Sequence, residues 1–336
     1  MPRAQQAQKG RLFCRSKFCH NSRMKLAVVF PGQGSQHVGM LRGFDELPCV
    51  RETLETADAV LGGSFSELIR NGSDALLNET AHTQPVLLTV CVAMYRALSE
   101  RVHLKPIFFA GHSLGEYTAY VASGRIRFED ALRLVKFRAE RMQEVALKNP
   151  GGMSAVIGLN SEETTQVCQS VKSAGFVEPA NFNAALQTVI AGTKDALEAA
   201  KKIALQKGAR CVIDLPVSAA FHTHLFEGVA ESLREKLNSI TINSTTTPVI
   251  ANIDAMPHEA AEEVRLTLSA QTSHPVQWLN TMRRMEKEGV STLLECGPGR
   301  VITGLAKRTM AGVRLLNCSN LESIDLISNE LAKEST

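Results

Sequence analysis

The pentapeptide Gly111-His112-Ser113-Leu114-Gly115 lies between a short apolar run at 107–110 and a helical pattern from Leu114 to Ala122. A chain passing from a buried strand through G-x-S-x-G into a helix must turn sharply, with the serine at the top of the turn. That restricts the fold to strand–turn–helix units, and the N-terminal region repeats the theme. Leu26 to Phe30 is apolar and β-branched and is closed by Pro31-Gly32, so it reads as a buried first strand. The run 84–98 is apolar around most of its circumference, which a helix tolerates only when it is covered on several sides. Strands alternating with helices imply an α/β core with a mostly parallel sheet.

The rhythm changes near Gly151. Residues 153–159 read as strand, 162–174 as helix, 177–182 and 187–191 as strands, 194–207 as helix and 210–215 as strand. This βαββαβ order is the ferredoxin-like pattern, large enough for a small unit of its own. We read residues 149–215 as a ferredoxin-like insertion into a large α/β subdomain formed by 24–148 and 216–336. Strands resume at 249–253 and 292–295, with helices between and after, and Gly297-Pro298-Gly299 punctuates the last return. A length of 336 residues fits such a two-part chain.

With 44% hydrophobic and 21% charged residues, the composition is that of a folded globular protein rather than a disordered one. No run approaches the roughly 18 apolar residues needed to cross a bilayer. Six basic residues and no acid fall within residues 1–23, so although the chain totals +3, the remainder carries −3. A slightly acidic body argues against a nucleic-acid surface. The basic head reads as translation from a start upstream of Met24, a transit peptide or a disordered nucleic-acid-binding arm, and in any of these cases as a disordered segment. The eight cysteines are irregularly spaced with no C-x-x-C, which favours free thiols in a reducing compartment over disulfides or zinc.

Ser113, at the start of a helix and on a sharp turn, has what a nucleophile needs: the Leu114 N–H and the helix dipole can stabilise a negative oxygen. The alternative is a helix cap, which would need neither flanking glycine. A nucleophilic serine requires a base. His112 is its neighbour on the turn and should point away as a packing residue; most other histidines sit near polar or loop signals. His222 and His224 remain, where the chain re-enters the large subdomain. As a metal pair they lack further ligands at sensible spacing. On a helical projection of residues 128–145, Arg138 falls inside the apolar face with Leu134, Val135 and Met142. A guanidinium there must meet an anion, either a buried Asp or Glu of the protein or the carboxylate or phosphate of a substrate. The loop Gly32-Gln33-Gly34-Ser35-Gln36 fails as a nucleotide fingerprint because His37 takes the last glycine position. It can still aim backbone amides into a crevice at the carboxyl end of a strand.

Taken together, Phe30-Pro31-Gly32-Gln33-Gly34-Ser35-Gln36, Gly111-His112-Ser113-Leu114-Gly115-Glu116, Phe137-Arg138-Ala139-Glu140-Arg141-Met142-Gln143, Pro216-Val217-Ser218-Ala219-Ala220-Phe221-His222, Pro275-Val276-Gln277-Trp278 and Gly297-Pro298-Gly299 resemble the malonyl-CoA:acyl carrier protein transacylases, in that family's order. The resemblance implies an α/β-hydrolase-like large subdomain interrupted by a ferredoxin-like one. It also implies that Ser113 takes the malonyl group as an ester, that His222 is the general base, and that the backbone carbonyl of Gln277 orients the imidazole. Backbone amides of Gln33 and Leu114 would form the oxyanion hole, and Arg138 would bind the malonyl carboxylate. Phe221 resembles the form of the motif that disfavours a branched methylmalonyl group. His224 stands where a non-ionisable residue is common, and residues 1–23 have no counterpart in the compact bacterial form.

The expected partners are malonyl-CoA, as the coenzyme A thioester substrate, and a holo acyl carrier protein bearing phosphopantetheine. No metal or organic cofactor, nucleic acid or membrane is expected, and the chain is expected to act as a monomer. The expected location is the cytoplasm, or the mitochondrial matrix or plastid if the head is a transit peptide. Fatty-acid synthesis is the expected role. The rivals are an acyltransferase serving a polyketide synthase, a serine esterase or thioesterase, and a non-catalytic subunit that binds carrier protein.

Overall fold

A computed structural model of the chain describes residues 24–332; the basic head, read above as a disordered segment from an upstream start, a transit peptide or a nucleic-acid-binding arm, lies outside the described residues. Five parallel strands form the main sheet in the order β7 (Val249–Ile250), β2 (Pro106–Gly111), β1 (Leu26–Phe30), β8 (Thr292–Cys296), β9 (Arg314–Cys318). Strand β1 (Leu26–Phe30) is buried along its whole length. Leu26, Val28 and Phe30 enter one apolar cluster and Ala27 and Val29 another, the period-2 alternation of a strand covered on both faces.

Helices α1 (Pro48–Leu61), α2 (Phe65–Asn71), α3 (Asp74–Leu77) and α4 (Thr80–Arg101) fill the stretch between β1 and β2 (Pro106–Gly111). The apolar α4 is covered by α1, by α5 (Leu114–Ala122) and by α6 (Phe128–Lys148), which explains its buried circumference. The face of α6 read from periodicity is the buried face, and Arg138 lies within it.

The small sheet contains β3 (Gly152–Ile157), β4 (Val177–Ala184), β5 (Gln187–Gly192) and β6 (Cys211–Asp214), antiparallel in the order β4-β5-β3-β6. Helices α7 (Ser161–Ser170) and α8 (Lys194–Gln206) share an apolar cluster with that sheet, giving the ferredoxin-like arrangement. A capping box between Asn160 and Glu163 starts α7. The helix expected over 162–174 breaks after Ser170 into a 3-10 turn, Lys172–Ala174. Strand β4 also bonds the segment that precedes residue 278: the Phe182 N–H donates to the Val276 carbonyl and the Val276 N–H to that of Ala180.

The chain then returns through α9 (Glu227–Leu237), β7 (Val249–Ile250), α10 (Ala261–Ala270), α11 (Trp278–Lys287), β8 (Thr292–Cys296), α12 (Val301–Thr309), β9 (Arg314–Cys318) and α13 (Glu322–Ala332). Strand β7 is shorter than the expected 249–253. The chain leaves the sheet into a turn closed by the Ala255 N–H on the Ala251 carbonyl, with Ala255 at φ 57°, and this frees Asn252 to face β2. Edge strand β9 was not read from the sequence, because its residues are only half-buried and carry no sharp apolar signal.

Candidate active site

The Gly111–Gly115 turn is a strained elbow. Ser113 holds φ 51° and ψ −107°, a conformation that costs an L-residue about 1–3 kcal/mol. Close approach explains both glycines. A Cβ at Gly111 would lie 1.9 Å from the Gly115 backbone, and one at Gly115 would lie 2.2 Å from the Phe30 carbonyl oxygen of β1. Asn252 braces the elbow from β7: its Oδ1 accepts the Ser113 N–H at 2.7 Å and its Nδ2 donates to the Gly111 carbonyl at 2.7 Å. The Ser113 amide is thereby used up. Gly115 and Glu116 donate back to His112 and Ser113, whereas among the described residues neither the Leu114 nor the Gln33 N–H has a partner. Both residues line the cavity in front of Ser113, at the carboxyl ends of β2 and β1.

His222 completes the nucleophilic pair. It is buried, at φ 61°, with Nε2 2.8 Å from Ser113 Oγ and Nδ1 2.8 Å from the carbonyl oxygen of Gln271. A carbonyl only accepts, so Nδ1 carries the proton and Nε2 presents its lone pair to the serine hydroxyl. Burial, and then the charge of Arg138, push the imidazole down to about 3, so the ring is neutral at physiological pH.

The orienting carbonyl therefore belongs to Gln271, not to Gln277 as the resemblance implied. Gln271 follows α10 in a 3-10 turn, where carbonyls are left free by the ending helix. Gln277 is occupied elsewhere: its N–H donates to the Asn252 carbonyl and its own carbonyl accepts from Thr281 at the start of α11. His224 also separates from the site. Half-exposed, it pairs with Glu178 of β4 at 2.6 Å, and the described residues bring no third donor to make a metal group with it. His112 packs on Trp278 and bonds Asn183, as expected of a structural residue.

Arg138 is 1% exposed and has no carboxylate within ion-pair distance among the described residues. Its Nη1 donates to Gln84 Oε1 at 2.5 Å; its Nη2 donates to Gln271 Oε1 at 2.9 Å and lies 3.3 Å from Ser113 Oγ. The Tyr117 ring lies beneath it at 5.3 Å, and Nε has no partner. The buried carboxyl of Glu116 interacts with the guanidinium over a longer distance, but burial pushes it up to about 8, so it is largely neutral at pH 7. The guanidinium, which stays charged, is thus held by neutral dipoles with its counter-ion outstanding. Of the two readings left open by the sequence, a structural ion pair is absent from the described residues.

The cavity, about 110 Å³, suits a small acyl group rather than a whole coenzyme, with Met142, Met153 and Phe221 as apolar walls. Gln84, Asn252, Gln271 and Glu116 were missed by the sequence reading. Only Glu116 left a signal, as the one charged residue in the otherwise uncharged run Leu114–Ala122.

The family model described as the acyl transferase domain matches residues 27–329. A malonyl CoA-acyl carrier protein transacylase of Haemophilus influenzae is 39% identical over 309 residues, covering 91% of this chain and 99% of that protein. The crystal structure of an acyl-carrier-protein S-malonyltransferase from Burkholderia pseudomallei is 43% identical with a TM-score of 0.88, covering 91% of this chain and 100% of that one. A malonyl-transacylase in complex with its type II PKS acyl-carrier protein matches with 38% identity and a TM-score of 0.88, covering 91% and 99% of the two chains.

Proposed function

The chain belongs to the acyl transferase domain family, and on that premise we propose that it moves a malonyl group from malonyl-CoA to the phosphopantetheine thiol of acyl carrier protein, through an ester on Ser113, in fatty-acid synthesis. The observation that carries this reading is the meeting of three groups: the Ser113 hydroxyl lies 2.8 Å from the His222 Nε2 lone pair and 3.3 Å from the unpaired guanidinium of Arg138.

Ser113 Oγ attacks the thioester carbonyl while its proton passes to His222 Nε2. The resulting oxyanion faces the N–H groups of Gln33 and Leu114. Collapse of the tetrahedral species breaks the C–S bond, and the departing sulfur takes the proton back from Nε2, leaving coenzyme A as a thiol and malonate as a serine ester. In the second half the carrier thiol gives its proton to Nε2 and attacks the ester; Ser113 leaves and recovers the proton. One thioester replaces another, and side chains and backbone amides of one chain suffice, so the reaction as drawn calls on no metal, no organic cofactor and no second copy. We read the active form as a monomer, because the steps as drawn use the groups of one chain. The described cysteines are all free thiols, which supports a cytoplasmic location.

Arg138 selects malonyl over acetyl, because an acyl group without a carboxylate leaves a buried charge unpaired. Phe221, packed on Phe226 at a centroid distance of 5.5 Å, narrows the cavity against a methyl branch. A polyketide carrier is a second acceptor, favoured by the likeness to the transacylase solved in complex with its type II PKS acyl-carrier protein. The test is intact mass spectrometry after mixing with malonyl-CoA, acetyl-CoA and methylmalonyl-CoA in turn. One malonyl adduct, absent in Ser113→Ala and discharged by holo carrier protein, is expected; an adduct surviving in Ser113→Ala would overturn the nucleophile.

A further inference from the structure

Glu116 lies three residues after the nucleophile, fully buried, and takes no part in the mechanism above. Its Oε2 accepts two N–H groups: Gln271 Nε2 at 2.7 Å and the backbone N–H of Asn252 at 3.2 Å. Those are the residues that hold the site together. The Gln271 carbonyl orients His222 and its Oε1 receives Arg138, while the Asn252 side chain bridges the elbow. A side-chain amide can face either way, and in the opposite orientation Gln271 would turn its NH₂ on the guanidinium, donor against donor. Two groups oppose that flip: the Ser113 carbonyl at 2.8 Å, which can only accept, and Glu116 Oε2, which accepts the same NH₂ with the carboxyl proton on Oε1. Glu116 Oε1 has no partner, so only one of the two carboxyl oxygens is engaged.

We propose that Glu116 is a positioning residue whose carboxyl accepts from the side-chain amide of Gln271, locks it and so sets the Arg138 fork for a substrate carboxylate. The neutrality of that carboxyl matters because Arg138 is then the sole full charge turned toward the acyl group. The groups facing Glu116 are Arg138 from α6, Asp254 after β7, and Tyr117 and Tyr120 on its own helix. Both phenols are pushed up by burial and stay neutral in the working range, and Asp254 is engaged by His258 at 2.9 Å. Burial pushes the Glu116 carboxyl up to about 8. Below that pH it is neutral; above it, an anion develops beside Arg138 and competes with the malonyl carboxylate for the guanidinium.

This inference rests on malonyl transfer as the activity, and one experiment separates the two. Ser113 acylation by malonyl-CoA and by acetyl-CoA is followed from pH 6 to 9 in wild type, Glu116→Gln and Glu116→Met. If wild type takes no malonyl group, the activity itself is wrong. If it does, Glu116→Gln should stay within about threefold at pH 7, since its carbonyl accepts the same two N–H groups. Glu116→Met fills similar space without an acceptor and should lose malonyl kcat/KM by roughly tenfold to a hundredfold, mainly through KM, with a smaller loss for acetyl. A purely packing role predicts Met to equal or exceed Gln, and that result would overturn the proposal. Should Glu116→Met fail to fold, the pH profile decides. Malonyl KM should rise above pH 8 in wild type and not in Glu116→Gln; the same alkaline rise in both would overturn it.

Discussion

His222 and His224 stand two residues apart and face different halves of the molecule. His222 turns into the large subdomain, is buried, and spends both ring nitrogens on Ser113 and Gln271. His224 turns to β4 of the small sheet, half-exposed, and holds the Glu178 carboxylate at 2.6 Å. The contrast extends to the two sheets. The parallel sheet ends in strained backbone at Ser113, facing the buried charge of Arg138 on α6, whereas the antiparallel sheet supplies Met153 and Asn181 to the cavity wall and Asn183 to His112. Residue type did not decide which histidine is the base; a carbonyl at a helix end and exclusion of water did.

The sharpest way to break this contrast is mutation of the two histidines. His222→Ala should slow both half-reactions by roughly 10²–10⁴, the range for a lost general acid–base. His224→Ala removes an exposed contact with Glu178 and an edge-on contact with Phe176, and should alter rates within about threefold and stability by at most about 1 kcal/mol. Equal losses in stopped-flow acylation would dissolve the distinction.

A smaller effect sharpens it through pH. His222 is active as the neutral ring, and its depressed folded pKa keeps it neutral until the pH falls toward 3, so activity is lost only as pH drops through that value. Acylation kcat/KM should therefore be nearly flat from pH 7 to 5, where a histidine at its ordinary pKa of about 6.5 would lose about 25-fold. In Arg138→Ala the acid limb should move to higher pH, because the second-largest cause of the depression is gone. A limb near 6.5 in wild type would mean that the ring is wet.

What was legible in the sequence follows the range of the interactions. The elbow could be read because its glycines, strand and helix are contiguous, and Arg138 because a cation inside an apolar face is visible within one helix. The βαββαβ order was legible for the same local reason. Gln271 was not: its contribution is a backbone carbonyl, which any residue carries, and the resemblance assigned it six positions too late, to a residue that instead starts α11. Asn252 and Glu116 also escaped, since Asn252 reaches the elbow across 139 residues and Gln271 meets Glu116 across 155. Edge strand β9 and the two-residue β7 were lost or overdrawn because sheet position, rather than composition, defines them.

The central claim is that the unpaired guanidinium of Arg138 awaits the carboxylate of the acyl group. The direct measurement is malonyl and acetyl acylation of Ser113 in Arg138→Ala, with the unfolding midpoint of the same protein. A charge-assisted hydrogen bond is worth about 1.5–3 kcal/mol, so malonyl transfer should fall roughly tenfold to a few hundredfold while acetyl transfer holds or improves and the fold keeps its stability. A parallel loss of both activities, accompanied by a marked drop in the midpoint, would contradict the account and return Arg138 to a structural role.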